Sequence, residues 1–197
     1  TAPILVYSLA GPDEIEEMVD HDLRPMVTDA DYIDRIDRAG RKRRKQLAVH
    51  IKIDTGMGRI GCTPEDAADL AGRVNAAQHL RLEGVCTHFS EADTEDQAFT
   101  REQLTKFRRA LAAIRNIGID PGLIHAANSG AVLNLPESHF QMVRPGILCY
   151  GYYPSCSQTR VLPVTPVMEL ESKLVFIKRV TRGEPISYGR TYHCPRD

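Results

Sequence analysis

Paired cysteines are missing from this sequence. The five present, Cys62, Cys86, Cys149, Cys156 and Cys194, are odd in number, widely spaced and include no C-x-x-C pair. That pattern argues against a disulfide framework and a structural zinc site, and a reducing cytoplasm without a metal centre is the expected setting. A charge imbalance is missing too. With 25 Lys and Arg against 26 Asp and Glu, the net charge is -1 over 197 residues, so no overall field draws the chain to nucleic acid or to an anionic membrane. No run approaches the roughly 18 apolar residues that span a bilayer, and the N-terminus lacks the basic-then-apolar pattern of a signal peptide. Solenoid repeats and low-complexity segments are absent. The chain opens at Thr1 rather than methionine and enters an apolar strand almost at once, so upstream sequence is expected to precede it.

What is present is an ordinary globular composition, 42% hydrophobic and 26% charged, enough for a large core and one or two domains. Short β-rich runs alternate with amphipathic helical stretches. Pro3–Tyr7 precedes a helix from about Pro12 with Ile15, Met18 and Val19 on one face. Pro25–Thr28 and Leu47–Ile53 open the next two units, the latter followed by a helix start at Thr63-Pro64-Glu65-Asp66. The basic run Arg41–Lys45 reads as a solvated helix end. Leu82–Thr87 pairs with a long helix from about Asp96 to Ile117, whose Leu104, Phe107, Leu111 and Ile114 repeat at helical spacing. Leu123–Ala126 and Phe140–Val143 complete six βα units. Such repetition predicts an α/β fold with a parallel sheet, either about six of the eight units of a (β/α)8 TIM barrel or an open doubly wound sheet.

After Tyr150-Gly151 comes a linker rich in proline, serine and threonine, then the alternating run Val167–Ile177, which predicts a half-buried antiparallel strand. The expected division is a barrel domain over 1–163 and the start of a β-domain over 164–197.

In a βα barrel the site lies where strands end. Here β-rich runs end in His50-Ile51-Lys52-Ile53-Asp54-Thr55-Gly56-Met57-Gly58-Arg59-Ile60-Gly61, in Thr87-His88-Phe89-Ser90, in His125-Ala126-Ala127-Asn128-Ser129-Gly130 and in Val143-Arg144-Pro145-Gly146-Ile147. Glycines admit close backbone approach, and small residues with hydroxyl and amide donors suit a barrel phosphate site. Each segment alone also reads as a structural turn or a helix cap.

Together with Ile186-Ser187-Tyr188-Gly189, these segments resemble bacterial alanine racemase in content and order across nearly the whole chain. The resemblance implies a barrel that binds pyridoxal 5'-phosphate (PLP). It implies His88 against the pyridine ring, Asn128, Ser129 and the backbone of Gly146 and Ile147 on the phosphate, and Arg144 facing the ring nitrogen. A guanidinium only donates, so the ring nitrogen would stay unprotonated and the cofactor would be a weaker electron sink, which disfavours transamination. Tyr188 is the implied acid-base group on one substrate face, contributed across the two-fold interface of a homodimer, with His125 as its hydrogen-bond partner. Arg59 would contact the cofactor phenol oxygen and the substrate carboxylate, and Lys52 matches a position often carbamylated. The family's cofactor-binding lysine belongs to a segment not found in these 197 residues, and the later parts of its second domain are also not found. The chain alone is therefore expected to be inactive and unstable or prone to aggregate. Competing readings are a racemase of serine or basic amino acids, a non-catalytic PLP-binding protein, and a structural remnant without a ligand.

Overall fold

The computed structural model describes residues 2–156 and 161–197. Residues 157–160, part of the expected linker, lie outside the described residues. The chain divides into two compact units, Thr1–Pro166 and Val167–Asp197, against a boundary near 163 expected from composition.

In the first unit five parallel strands stand side by side in chain order: β1 (Leu5–Val6), β2 (Arg24–Val27), β3 (Leu47–Lys52), β4 (Leu80–Cys86) and β5 (Leu123–His125). This order decides between the two α/β architectures. A doubly wound sheet reverses its direction of growth part-way, whereas a barrel sets each strand beside its predecessor. The sheet is the curled half of a TIM-type barrel. The expected sixth strand at Phe140–Val143 is reduced to one parallel bridge between His125 and Met142. Phe140 adopts φ +46, and the Gln141 side chain accepts the Ile124 N–H at 3.1 Å that a longer ladder would use.

The helices α1 (Ile15–Asp20), α2 (Ala30–Arg43), α3 (Ala67–Ala76) and α4 (Ala98–Asn116) each bury an apolar stripe, with two short helices, α5 (Ser129–Asn134) and α6 (Gly146–Cys149), after β5. Asp29 caps α2 by accepting from Tyr32 N–H at 2.8 Å. The basic run closes that helix, but it is not merely solvated: Lys42 meets Glu16 at 2.6 Å and Arg43 meets Asp20 at 2.8 Å, tying α2 to α1. Helix α3 starts later than expected. Thr63 Oγ1 accepts from Asp66 N–H at 3.2 Å, capping a turn that precedes the helix. Among the described residues, no helix is long and apolar enough to cross a membrane.

Side-chain alternation along β3 sorts two environments. Leu47, Val49 and Ile51 join Ile33 and Ile36 of α2 and Leu70 and Val74 of α3 in the hydrophobic core. Their neighbours His50 and Lys52 are equally buried, at 2% and 1% exposure, on the opposite face of the strand, toward the barrel interior.

The second unit carries a small antiparallel pair, β6 (Pro185–Ile186) with β7 (Tyr192–His193). The strand expected over Val167–Ile177 is not formed. Leu170 and Val175 are 97% and 95% exposed, because an alternating sequence becomes a strand only where a second strand pairs with it, and none does among the described residues.

Candidate active site

The interior ends of the strands meet at Arg144. Its backbone N–H donates to Ala127 O at 2.8 Å, which brings the guanidinium under the ends of β4 and β5. There Nη1 donates to His125 Nδ1 at 2.6 Å. The other terminal nitrogen, Nη2, has Thr87 O at 2.7 Å, Tyr7 Oη at 3.0 Å, Ala126 O at 3.1 Å and His88 Nδ1 at 3.3 Å around it. Nε of Arg144 is buried and has no hydrogen-bond partner. Three strand ends and the Arg144 loop thus converge on one cation that retains an unused donor.

A cavity of about 290 Å³ opens beside it, lined by His88, Asp93, Asn128, Ser129, Gly130, Arg144, Gly146, Ile147 and Pro154. Six of the residues singled out in the sequence therefore share one wall. At Gly146 an added Cβ would meet nothing within 4 Å, whereas at Gly130 it would strike the Ala92 carbonyl carbon at 2.7 Å. Gly146 leaves its backbone open to the cavity, and Gly130 is small because α5 packs against the Ala92 loop. The Asn128 amide is already engaged: Oδ1 accepts from Ala131 N–H at 3.1 Å and Nδ2 donates to Phe89 O at 3.1 Å. Ser129 Oγ accepts from Leu148 N–H at 3.2 Å, linking the two segments. A larger cavity, about 720 Å³, lies between the Asp54 loop and Lys106 and Arg109 of α4. Neither His88 nor Arg144 lines it, so chemistry rather than size marks the site.

Burial governs the titrating groups. Desolvation, with the Arg144 charge second, pushes His88 down to about 4. The same two causes, in the same order, push His125 far below the usual imidazole range. Both rings are neutral at neutral pH. Lys52 is brought down to about 8, chiefly by burial. Its amine donates only weakly, to Ile53 O at 3.3 Å.

The loop after β3 is built around Asp54, whose Oδ1 accepts from the N–H groups of Gly56, Met57 and Gly58 at 2.9, 2.9 and 3.1 Å. Two of its glycines serve closure rather than ligand approach. Gly61 has φ +130 and an added Cβ would lie 2.6 Å from Asp54 N, while Gly56 has φ +136 and packs on Phe99. Arg59 stands exposed on this loop, and its charge lowers the Lys52 and His88 proton affinities.

Both ring nitrogens of His125 are engaged within the first unit, by Arg144 and by His50 Nδ1 at 2.9 Å. Tyr188 belongs to the second unit, in a short turn where it is 99% exposed. A further residue escaped the sequence reading altogether: Tyr7, whose ring lies 4.4 Å from the Arg144 guanidinium and 5.7 Å from the His88 ring. Its place at the end of the first β-rich run was the available signal.

The sequence profile of the alanine racemase N-terminal domain matches residues 1–154. This chain belongs to the alanine racemase family. It is 45% identical over 199 residues to the alanine racemase of Treponema denticola, covering 100% of this chain and 52% of that protein. Among solved structures, the alanine racemase of Clostridium difficile superposes with a TM-score of 0.88 at 31% identity, over 100% of this chain and 52% of that one. A histidine racemase from Leuconostoc mesenteroides gives a TM-score of 0.85 at 26% identity, over 99% and 52%. The chain spans about half the length of the curated relatives it matches. In this alanine racemase barrel, Tyr7, Lys52, His88, His125 and Asn128 all sit at or just beyond the carboxyl ends of strands, the rim at which barrel active sites form.

Proposed function

We propose that the protein containing this chain is a PLP-dependent amino-acid racemase that interconverts L- and D-alanine, supplying D-alanine for peptidoglycan. The observation that carries this reading is Arg144, a permanent cation fixed at the cavity wall with a buried, unpartnered Nε. A buried donor left unmatched within the fold is open to an acceptor on a ligand, and an unprotonated pyridine nitrogen is one. The cavity fits the rest of PLP: a neutral His88 ring can lie against the pyridine, and Ser129 with the open backbone at Gly146 and Ile147 can hold the phosphate. Asn128, by fixing the start of α5, orients that phosphate wall. When bound, PLP supplies the electron sink that makes the substrate α-proton removable.

The chain's own residues divide the remaining work. Arg144 keeps the ring nitrogen unprotonated, because guanidinium has no proton to give at neutral pH. His125 acts through Arg144 rather than on the substrate. Arg59 receives the substrate carboxylate and the cofactor phenol oxygen. Tyr188 exchanges the proton on one face, contributed across the two-fold interface of a homodimer. Lys52, with its proton affinity lowered by burial, presents the neutral amine that carbamylation by carbon dioxide requires, and the carbamate would orient Arg59. Residues 1–163 form the PLP barrel and 164–197 the start of the β-domain, in a cytoplasmic enzyme. A second reading, a racemase of a larger amino acid, is favoured by the likeness to the histidine racemase.

The test is Tyr188→Phe in the complete protein. Exchange of the α-proton with deuterated solvent should collapse for one enantiomer while PLP binding stays near the parent level. Equal loss for both enantiomers would remove Tyr188 from its single-face role.

A further inference from the structure

Strand β4 contains an extra residue. Val49 pairs with Leu82 and His50 with Gly84, so Glu83 has no partner on β3. A bulge in a parallel pair is uncommon, and bulges re-aim side chains near functional sites. Here two glycines accommodate it. An added Cβ at Gly84 would lie 2.5 Å from both Cε1 and Nδ1 of His50, and one at Gly122, where φ is +66, would lie 2.3 Å from Glu83 O. The His50 ring occupies the space a side chain at position 84 would fill. From the bulge, Glu83 Oε2 reaches His50 Nε2 at 3.3 Å, while Arg24 at 3.2 Å and Arg81 at 3.0 Å hold the carboxylate from outside.

We propose that Glu83 is a positioning residue, setting the direction of a buried hydrogen-bond chain that runs Arg144, His125, His50, Glu83. The hydrogen positions follow from the two ends. Arg144 only donates, so His125 Nδ1 must accept and its proton sits on Nε2. That nitrogen faces His50 Nδ1 at 2.9 Å, which must then accept, leaving the His50 proton on Nε2, directed at Glu83. An ionised carboxylate only accepts, so both ends enforce one orientation. With donors at both ends instead, one junction would set two N–H groups against each other. Burial opposes ionisation of Glu83, but the bonds from Arg81 and His50 and the Arg24 charge hold its carboxyl below the usual range. The chain thus fixes a lone pair on His125 toward Arg144 and pins the guanidinium at the cavity wall. The consequence for a cofactor rests on the racemase reading above, whereas the direction of the chain does not.

The experiment is 15N NMR of the protein labelled at histidine. His50 and His125 should both carry the proton on Nε2. In Glu83→Met the acceptor is lost, so the His50 Nε2 proton is left unpartnered and its resonance should move upfield. Glu83→Gln, whose Oε1 still accepts, should retain the parent pattern. PLP binding should weaken by about tenfold in Glu83→Met, the loss of one hydrogen bond to a charged group, and be largely kept in Glu83→Gln. An Nδ1 proton on either ring in the parent protein, or an unchanged His50 resonance in Glu83→Met, would overturn the proposal. The parent spectrum decides the direction even where the methionine variant fails to fold. A shifted His50 resonance with unaltered PLP binding would leave the direction standing and overturn the positioning role.

Discussion

The Arg144 guanidinium lies 4.4 Å from the centre of the Tyr7 ring and donates to the Tyr7 hydroxyl at 3.0 Å. The phenol in turn donates to Thr87 O at 3.1 Å, so one side chain both stacks on the cation and ties it to the end of β4. Burial holds the Tyr7 hydroxyl well above the usual phenol range, and it stays protonated as that donor. Tyr7→Phe should keep the stacking and lose the two hydrogen bonds, costing about 1 kcal/mol. Tyr7→Ala should cost about 3 kcal/mol. Urea unfolding of both variants checks the order, and equal losses would contradict it.

Lys52 gives a pH signature. Its folded-state value near 8 lies below the unfolded value of 10.5. Between those pH values the unfolded chain binds a proton that the folded chain has released, so stability rises with pH across that window. The full gain is about 3 kcal/mol. With carbon dioxide excluded, denaturant unfolding from pH 7 to 10.5 should show this rise. The difference between the parent and Lys52→Met should isolate it, and parallel curves would show that Lys52 does not titrate there.

A complementary prediction concerns its modification. Added 13C-bicarbonate should give a carbamate resonance at pH 8 that is absent from Lys52→Met. The same resonance in that variant would assign it to another amine.

The Asp54 loop separates two glycines. Gly61→Ala forces a Cβ against Asp54 N at φ +130 and should cost about 3 kcal/mol, a fall of roughly 6–12 °C in Tm. Gly58→Ala meets open space at φ +68 and should cost only about 1 kcal/mol. Thermal melts of the pair test whether the glycines serve closure, and similar shifts would argue against it.

Arg144→Glu should raise transamination relative to racemisation in the complete protein, because a carboxylate permits a protonated pyridine nitrogen. An unchanged ratio of side product to racemised product would detach Arg144 from the ring nitrogen.

Much of the first unit was legible in the sequence, because each helix carries a stripe such as Leu104, Phe107, Leu111 and Ile114, and each strand run ends in its polar residues. Barrel and doubly wound sheet could not be separated, since strand order is not a periodicity. Register was equally hidden. Nothing in Leu82-Glu83-Gly84 announces that Glu83 is skipped, so its approach to His50 went unseen. The engagement of His125 by His50 was missed for the same reason, because it crosses strands 75 residues apart. The run Val167–Ile177 failed in the opposite way. Its alternation is real, but a strand needs a partner as well as a pattern.

The alternation along β3 also works as a parity check on folding. A slip of one residue would exchange the two faces, driving His50 and Lys52 into the layer packed by α2 and α3 and presenting Leu47, Val49 and Ile51 to the barrel interior. The misaligned chain would bury two ionisable groups without partners, at several kcal/mol. The buried polar residues of β3 therefore also reject the wrong frame, and a variant that made β3 apolar on both faces would lose that proofreading.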